Sequence, residues 1–560
     1  IGTDNIVFTG TNSFGESGTD NGGLYLEEGN SSDPPNPYPI TFSTNIADNA
    51  NVTIQLADFT HMLGGDSDNS NTYRRFYGSL ADALSAAGGT PGHITTNRYI
   101  QDLSDESFYV ASFLSIQAAV DAADPGDVIN VEAGTYTEQV HITKNDLTID
   151  GAGVDNTIVK SPVILTDYFT TGTNDNYPVV FIDGATGVTL TEMTVDGDNQ
   201  GDTNVRFIGI GFWNGGGTFT TGKVINVMNS AFSGAQHGVG VYSYNNTGGP
   251  YTIIMNDVLV DDFQKTAVAL SGAGLTVDLD DVTTIGEGAT DVTAQNGIQI
   301  GSGVTGTLDN CDISDIAYTG DTWTATGFLN WGDVTATGLT ISGCQTSVYW
   351  TDGSGTFTGG SITSPLGDGF YAYNSTAASK SGAPKLIPEP FDPQFSYSQS
   401  NDKAVMNVTL SSTDIVGTGA TDSWGVGAFS YNDPSPDEVY LTVNNCKIDN
   451  WDYGIVAYDY GGPVYTTIFE NAIINCTYGI AASETITNTQ DGSGNYFGTT
   501  DATTIAGMID GDVIDYTPWL TTGTYDNPGF SGDFSTLYID DDGAQSGTES
   551  RLIEALGLVT

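Results

Sequence analysis

Residues 115–153 limit the possible folds of this chain more than any other stretch. Ser115 can cap a short helix in which every third or fourth residue, up to Ala123, is apolar. Pro125 and Gly126 end that helix. One side of the helix must therefore pack against whatever follows it.

Three short β-rich runs follow the helix, at residues 128–131, 140–142 and 147–149. Turns are predicted between them, at 134–136 and 144–146. The runs are too close together for the helical crossovers that join parallel strands in α/β proteins. The pattern predicts a solenoid whose short strands pair with the coils above and below.

The stretch also resembles the opening of a known superfamily. Residues 115–142 meet every fixed position of S-I-Q-x-A-V-x-A-A-x-P-G-D-x-I-x-V-x-x-G-T-Y-x-E-x-V-x-I, the start of the right-handed parallel β-helix proteins of the pectin lyase-like superfamily. The resemblance implies an all-β solenoid with an N-terminal helix that covers the open end of the sheets. It leaves the activity open, because the superfamily holds lyases, hydrolases, esterases, adhesins and structural solenoids.

The chain divides into three predicted parts. Residues 1–105 are predicted to form a small β-rich N-terminal domain or arm, and residues 106–520 the right-handed parallel β-helix, with an insertion at 364–405. Residues 521–560 are predicted to be an acidic C-terminal tail with a short helix at 549–556. Two consecutive coils align on the sequence Tyr-Gly-Ile, which places Ile448 over Ile473.

The charge of the chain excludes some partners. With 69 acidic and 13 basic residues, its formal net charge is −56. Nucleic acid is excluded as a partner because phosphate binding needs clustered Lys and Arg. Polyanionic substrates are disfavoured unless metal ions bridge them, and calcium or high salt is implied. No apolar run is long enough for a membrane span.

An acidic turn is the predicted metal site. Asp196, Asp198 and Asp202 lie close in sequence and offer the oxygen ligands that Ca²⁺ prefers. Arg206 follows them, and resemblance to pectate lyases, which pair calcium-binding acids with a proton-abstracting arginine, implies that role for it if the protein is a lyase. The alternatives are calcium without catalysis, or a solvated turn that Arg206 neutralises.

Aromatic residues are dense on consecutive coils before the long insertion. They can form a platform on which sugar rings stack or a protein contact surface, or they can pack the insertion against the coil. The residues of the predicted sugar platform are Trp323, Trp331, Trp350 and Tyr371.

The few cations suggest self-assembly. Several lie outside the regular coil, where they could meet the acidic wall of another copy and build a filament or sheet. The predicted assembly contacts are Arg74, Arg75, Arg98, Lys380, Lys385 and Lys403. The favoured function is a secreted structural protein that forms a surface layer, sheath or filament. The alternatives are a polysaccharide lyase or glycoside hydrolase and a carbohydrate-binding adhesin.

Two further expectations concern the cellular location of the protein and the oxidation state of its cysteines. The chain starts at Ile1 rather than Met, which suggests a processed N-terminus. Its end also resembles that of secreted β-helix proteins, so an extracellular or cell-surface location is expected. Free buried thiols are favoured over stacked disulfides for the four cysteines, Cys311, Cys344, Cys446 and Cys476.

Overall fold

A computed structural model describes residues 115–560 except 172–173, 321–322, 364, 375–404 and 432–436. Before residue 115 it describes the backbone of seven strands, consistent with a β-rich N-terminal region. These strands are Ile6–Phe8, Tyr25–Glu27, Ile40–Phe42, Val52–Gln55, Tyr73–Phe76, Ile94–Gln101 and Phe108–Phe113.

The predicted N-terminal helix is present as Ile116–Ala122. The Ser115 side chain accepts a hydrogen bond from the amide of Ala118, as predicted. The Glu138 carboxylate accepts two more, from Ile116 N at 2.8 Å and Gln117 N at 2.9 Å. A residue of the first coil thus caps the helix and fixes it over the end of the sheets.

The strands after the helix form three parallel sheets, one on each side of a coil, so the fold is the predicted right-handed parallel β-helix. The first sheet contains Val140–Ile142, Asn174–Asp183, Phe207–Trp213, Val239–Asn245, Thr266–Gly272, Asn296–Ile300, Thr326–Asn330, Thr346–Thr351, Asp368–Asn374, Trp424–Tyr431, Tyr453–Tyr460, Tyr478–Ala482 and Ile509–Asp510.

Strands of the second and third sheets alternate along the chain. The second contains Val128–Val131, Thr148–Asp150, Thr305–Asp309, Asp333–Thr337, Gly355–Thr358, Val405–Ser411, Glu438–Asn444, Val464–Phe469, Gln490–Asp491 and Ile514–Asp515. The third contains Gly134–Thr137, Thr157–Lys160, Asp312–Tyr318, Thr340–Ser342, Ser361–Thr363, Asp414–Val416, Lys447–Asp449 and Ala472–Ile474. Four long strands run through both sheets: Val188–Asp196, Gly217–Ile225, Tyr251–Val260 and Leu275–Thr290.

Two local predictions can be compared directly with the strand pairing in the structure. Ile448 pairs with Ile473, so the alignment of the two coils is confirmed. The predicted turn at 134–136 is wrong, because Gly134–Thr137 is a strand of the third sheet and pairs with Thr157–Lys160. A tight bend just before it lets the chain turn without a separate loop.

The corner between the second and third sheets has the same backbone in ten successive coils. One residue there has a positive φ, between 44° at Thr221 and 69° at Gly338. Most of these residues are not glycine, and each takes the left-handed conformation for a sharp bend. The ten residues are Glu192, Thr221, Asp257, Asp281, Asn310, Gly338, Gly359, Ser412, Asn445 and Glu470.

The core lies inside the coil and runs its whole length as one apolar cluster. Cys311, Cys344 and Cys446 are buried in it, and all four cysteines are free, as predicted. Burial raises the pKa of each of these three thiols to about 12. They are therefore inert packing residues rather than nucleophiles.

The C-terminal segment folds back on the last coils. Phe530 N donates to Asn445 O at 2.8 Å, and Phe530 packs on Ala472 and Leu520. The predicted terminal helix is present as Arg551–Leu558. The remaining elements are Phe169–Thr171, Gln200–Asp202 (a 3₁₀ turn), the helix Ala502–Gly507, and Trp519–Leu520, Gly523–Tyr525, Phe530–Gly532 and Leu537–Tyr538.

Candidate functional site

The first sheet has one face in the core and one face outside it. In the strand Phe207–Trp213, Ile210 and Phe212 belong to the core, whereas Ile208 packs with Phe181 on the opposite side. We call the face of the first sheet whose side chains point away from the core the outer face. Strand register then assigns the residues of all the remaining coils to one side or the other.

A first aromatic cluster covers the N-terminal end of the outer face. The rings of Phe169 and Phe181 stack 5.0 Å apart at 5°, and those of Trp213 and Tyr244 stack 5.5 Å apart. Such contacts exceed what area burial alone contributes, by about 1 kcal/mol each. The cluster consists of Tyr168, Phe169, Phe181, Trp213, Tyr242 and Tyr244.

A histidine and a carboxylate lie at the edge of this cluster. His141 Nε2 is 3.1 Å from Asp183 Oδ2, and both side chains are partly exposed. The imidazole also lies 4.2 Å from the ring of Tyr168. A His–Asp pair beside aromatic rings can exchange a proton or hold a hydroxyl group.

A second aromatic cluster lies further along the outer face. Trp424 stacks on Phe429 at 5.3 Å and 13°, and Tyr371 meets Phe429 edge to face at 5.1 Å. The cluster consists of Leu329, Trp331, Tyr349, Tyr371, Tyr373, Trp424, Phe429, Tyr458 and Tyr460.

A polar patch separates the two clusters. Thr266, Asn296 and Thr326 are in register on three successive strands, and Gln299 lies in the next outward position. All four side chains are at most 2% exposed. Within the described part of the chain, both amide atoms of Asn296, Gln299 Oε1 and the two threonine hydroxyls have no hydrogen-bond partner.

Unpaired buried polar groups carry a cost of about 1–3 kcal/mol each. Four such side chains side by side are unusual, because native proteins pair nearly all buried polar groups. They provide both donors and acceptors at one place on the sheet. The polar patch therefore has the chemistry of a site that binds hydroxyl or amide groups.

An acidic residue accompanies the second aromatic cluster. Asp368 accepts a hydrogen bond from Trp424 N at 3.1 Å and another from the Tyr371 hydroxyl. Burial raises the pKa of the Asp368 carboxyl above its usual range. It also raises the pKa of Tyr371, which remains a hydroxyl donor. A carboxyl group that keeps its proton closer to neutral pH can act as a general acid.

The predicted calcium ligands do not converge. Asp196 Oδ1 accepts from Asn226 Nδ2, and Asp198 pairs with Lys160 Nζ, both at 2.8 Å. Asp202 Oδ2 accepts from the amide of Ser230, and hydrogen bonds from the Ser230 side chain and amide lower the pKa of Asp202. Among the described residues, the acidic groups whose oxygens all lie within 4.8 Å of one another do not include these three. Neighbouring coils supply their donors instead, so the three carboxylates do not meet at one point, and a calcium site at this turn stays a prediction.

Among the described residues, Arg206 donates to two neutral acceptors. Its Nε donates to Asn176 Oδ1 at 2.9 Å and its Nη2 to Thr171 Oγ1 at 2.7 Å. It is 7% exposed, with a φ of 66°. These contacts fix the guanidinium against the strands Phe169–Thr171 and Asn174–Asp183, so Arg206 has a structural role. Proton abstraction by Arg206 stays a prediction.

The four platform residues are not on one surface. Trp331 and Tyr371 belong to the second aromatic cluster, and Trp323 is 39% exposed. Trp350 is in the core, where its Nε1 donates to Gly353 O at 3.0 Å. Period-two alternation sends Trp350 inward while its neighbour Tyr349 points outward, so Trp350 is not available to a sugar.

The predicted assembly contacts lie outside the described residues. Lys380, Lys385 and Lys403 fall in 375–404, and the side chains of Arg74, Arg75 and Arg98 are not described. These contacts stay predictions. No described helix is long and apolar enough to cross a membrane.

Sequence reasoning missed the polar patch. Its residues are dispersed over about sixty positions and become neighbours only through strand register. The one local signal is an asparagine and a glutamine in the strand Asn296–Ile300, where most residues are apolar or small.

No family model matches the sequence, and no curated protein matches it. Solved structures with a similar fold include the Azotobacter vinelandii mannuronan C-5 epimerase AlgE4 A-module, at 13% identity and a TM-score of 0.34, covering 73% of this chain and 92% of that one. Endo-xylogalacturonan hydrolase from Aspergillus tubingensis matches at 12% identity and a TM-score of 0.32, covering 67% and 95%.

A third similar structure is the tailspike protein gp49, a capsular polysaccharide depolymerase from the Acinetobacter baumannii bacteriophage Fri1. It matches at 9% identity and a TM-score of 0.30, covering 84% of this chain and 72% of that one. At identities this low a likeness concerns the fold alone, and what this chain does has to follow from its own residues.

Proposed function

We propose that the outer face of the first sheet binds an extended neutral polysaccharide. The observation that carries this proposal is the polar patch of Thr266, Asn296, Gln299 and Thr326 between two aromatic clusters. Carbohydrate recognition uses this combination, because sugar rings have apolar faces that stack on aromatic rings and hydroxyls that pair with amides.

The dimensions of the face suit a chain rather than a small molecule. Five coil steps lead from Tyr242 in the first cluster to Tyr371 in the second, by way of Gln299. At ~4.8 Å per step the span is about 24 Å. A linear oligosaccharide that runs along the rod would span both clusters and the patch. Because the four patch side chains are at most 2% exposed, it would reach them only when the residues that cover them move aside.

The charge of the chain favours a neutral polymer. A net charge of −56 repels polyuronates at low ionic strength. On the outer face itself, Asp183 and Asp368 are acidic, and His141 lies beside Asp183. Hydroxyl-rich glycans without carboxylates therefore fit the face better than pectate or alginate.

Replacing Asn296 and Gln299 together by alanine is expected to weaken polysaccharide binding. Each lost hydrogen bond should reduce affinity roughly tenfold. Thermal stability should stay the same or rise, because two unpaired buried groups disappear. Calorimetry and affinity electrophoresis against a panel of neutral and uronate polysaccharides would measure the change. The matched control is Thr335→Ala with Thr337→Ala, on the outward side of the second sheet.

Two outcomes would overturn the proposal. One is that the unmodified protein binds none of the neutral polysaccharides at any salt concentration. The other is that the patch variant and the control variant lose affinity equally, since the loss would then not come from the outer face.

Acid–base catalysis on the bound glycan is a second candidate, favoured by the Asp368–Tyr371 pair. If it operates, Asp368→Asn should lower the turnover of a bound polysaccharide about a hundredfold or more with little change in affinity. New reducing ends and unsaturated products would be assayed separately, with Asp309→Asn on the second sheet as the control. If the unmodified protein binds the polysaccharide but releases no product, the catalytic candidate is wrong and only the binding function is left.

Self-assembly into a surface layer or filament, calcium dependence and an extracellular location remain predictions. An extracellular location agrees with a polysaccharide ligand. None of the described contacts bears on assembly.

A further inference from the structure

The terminal helix turns its charged side towards the chain that precedes it. Arg551 Nη2 donates to the carbonyl oxygens of Gly543 and Ala544, at 2.7 and 3.0 Å. Glu554 Oε2 accepts from Gln545 Nε2 at 3.0 Å. The helix has no other charged residue, so both of its charges serve to hold it in place.

The opposite side of this helix is apolar and exposed. Leu552, Ile553 and Leu556, and Val559 just after the helix, are 46–68% exposed, whereas Ala555 on the charged side is buried. A surface helix normally has the reverse arrangement, with its apolar stripe against the core and its charges in water. The terminal helix is therefore inverted, and packing within the described residues does not account for its apolar side.

The apolar surface continues onto the segment before the helix. Ile539 is 42% exposed and lines one surface hollow together with Leu552. Contiguous exposed apolar surface of this kind marks sites of interaction, whereas single exposed apolar residues do not. We call this surface the end patch, and it consists of Ile539, Leu552, Ile553, Leu556 and Val559.

We propose that the end patch packs against the end patch of a second copy of this chain. A two-fold pair needs a surface that complements itself, and two apolar helices lying side by side meet that need. Gly557 lies one turn after Ile553 on the exposed side, where an added Cβ would have no other atom within 4 Å. A glycine there lets a second helix come close. Pairing and polysaccharide binding use no common residue, so either can fail without the other.

The size of the end patch suits a pair of copies. With Gly557 and Thr560, the patch exposes roughly 550 Å² on each copy, so a symmetric pair would bury roughly 1,100 Å² in total. Specific interfaces begin near about 1,000 Å², and those at this end of the range are weak or transient. The expected complex is therefore a reversible dimer.

The charge of the chain argues against a lipid surface as the occupant and sets the salt dependence of pairing. Helices that lie on membranes are rich in Lys and Arg, whereas this helix has one arginine on a chain of net charge −56. Two copies repel each other at low ionic strength, and salt screens that repulsion. Pairing through the end patch should therefore strengthen with salt. Assembly through ion pairs, as predicted for Arg74 and Lys385, should weaken instead.

Sedimentation velocity of the full chain at about 1 to 100 µM, in low and in high salt, tests the proposal. The average mass should rise with concentration towards that of two chains, and further in high salt. Leu552→Glu with Leu556→Glu should weaken pairing about tenfold or more, because like charges would face each other across the interface. The control is Ile164→Glu with Val205→Glu, which adds the same charge at two exposed apolar residues elsewhere on the rod and should leave pairing unchanged.

Melting curves in dilute solution separate an interface between copies from a role in folding. Both double variants should melt at the temperature of the unmodified protein, because the replaced side chains are exposed. A lower melting temperature for the helix variant alone would mean that another part of the same chain covers the end patch, which overturns the proposal. So does a single-chain mass at every concentration and salt, an equal loss of pairing in both variants, or pairing that salt abolishes.

Discussion

Lys265→Met is expected to raise the melting temperature strongly at pH 6 and only slightly at pH 10. Lys265 is 0% exposed, and burial lowers its pKa to about 7. Its Nζ donates to the carbonyl oxygen of Ala294, and among the described residues no charge compensates the ammonium. Below pH 7 the folded protein must therefore hold a buried positive charge.

The sign of the pH dependence follows from the two pKa values. The unfolded chain holds the proton of Lys265 up to its ordinary pKa of 10.5, whereas the folded chain releases it above about 7. Between those values the unfolded state binds more protons, so the free energy of unfolding rises with pH. Below pH 7 the penalty is complete, on the order of a few kcal/mol. Methionine removes it and loses one hydrogen bond, about 1 kcal/mol.

Thermal melts at pH 6 and pH 10 would measure this difference. Lys223→Met is the control, since Lys223 is partly exposed and paired with Asp155 at 2.6 Å. It should change the melting temperature little at either pH. A Lys265→Met variant that is less stable than the unmodified protein at pH 6 would contradict the explanation.

Gly306→Ala is expected to prevent normal folding or to destabilise the protein by at least about 3 kcal/mol. Gly306 has a φ of 140°, and a Cβ there would lie 1.9 Å from the carbonyl oxygen of Val277 in the preceding coil. The backbone cannot retreat, because Gly306 pairs with Val277 on one side and Val334 on the other.

The control for this prediction is Gly507→Ala. Gly507 ends the helix Ala502–Gly507, and a Cβ added there would have no atom within 4 Å. Alanine there should leave stability unchanged or raise it by up to about 1 kcal/mol. Circular dichroism and urea melts would compare the two variants. Equal stability of both would show that the strand can shift to admit a methyl group.

The fold could be predicted because its signal is local. The helix at Ser115, the strand spacing and the Tyr-Gly-Ile alignment each depend on residues close in sequence, and all three are present in the structure. The thiol state was also predictable, since small apolar positions on the coil leave cysteine no exposed partner.

The sites could not be predicted in the same way because they depend on register. Asp196, Asp198 and Asp202 are neighbours in sequence, yet each turns to a different donor. Thr266, Asn296 and Thr326 do not stand out in the sequence and meet only through the register of three strands. Trp350 and Tyr349 differ by one position, and that one position decides between core and outer face.

The repeated left-handed corner has a consequence for how this molecule can change. Each of the ten corners makes a left-handed bend before the third sheet, so the chain enters that sheet in a similar way in every coil. The connections on the other sides of the rod can then differ in length, as 226–238 and 261–265 already do between the third and first sheets, without moving the strands that follow. Loops could therefore be exchanged between coils as separate modules, and a new binding surface built while the ladder of sheets stays intact.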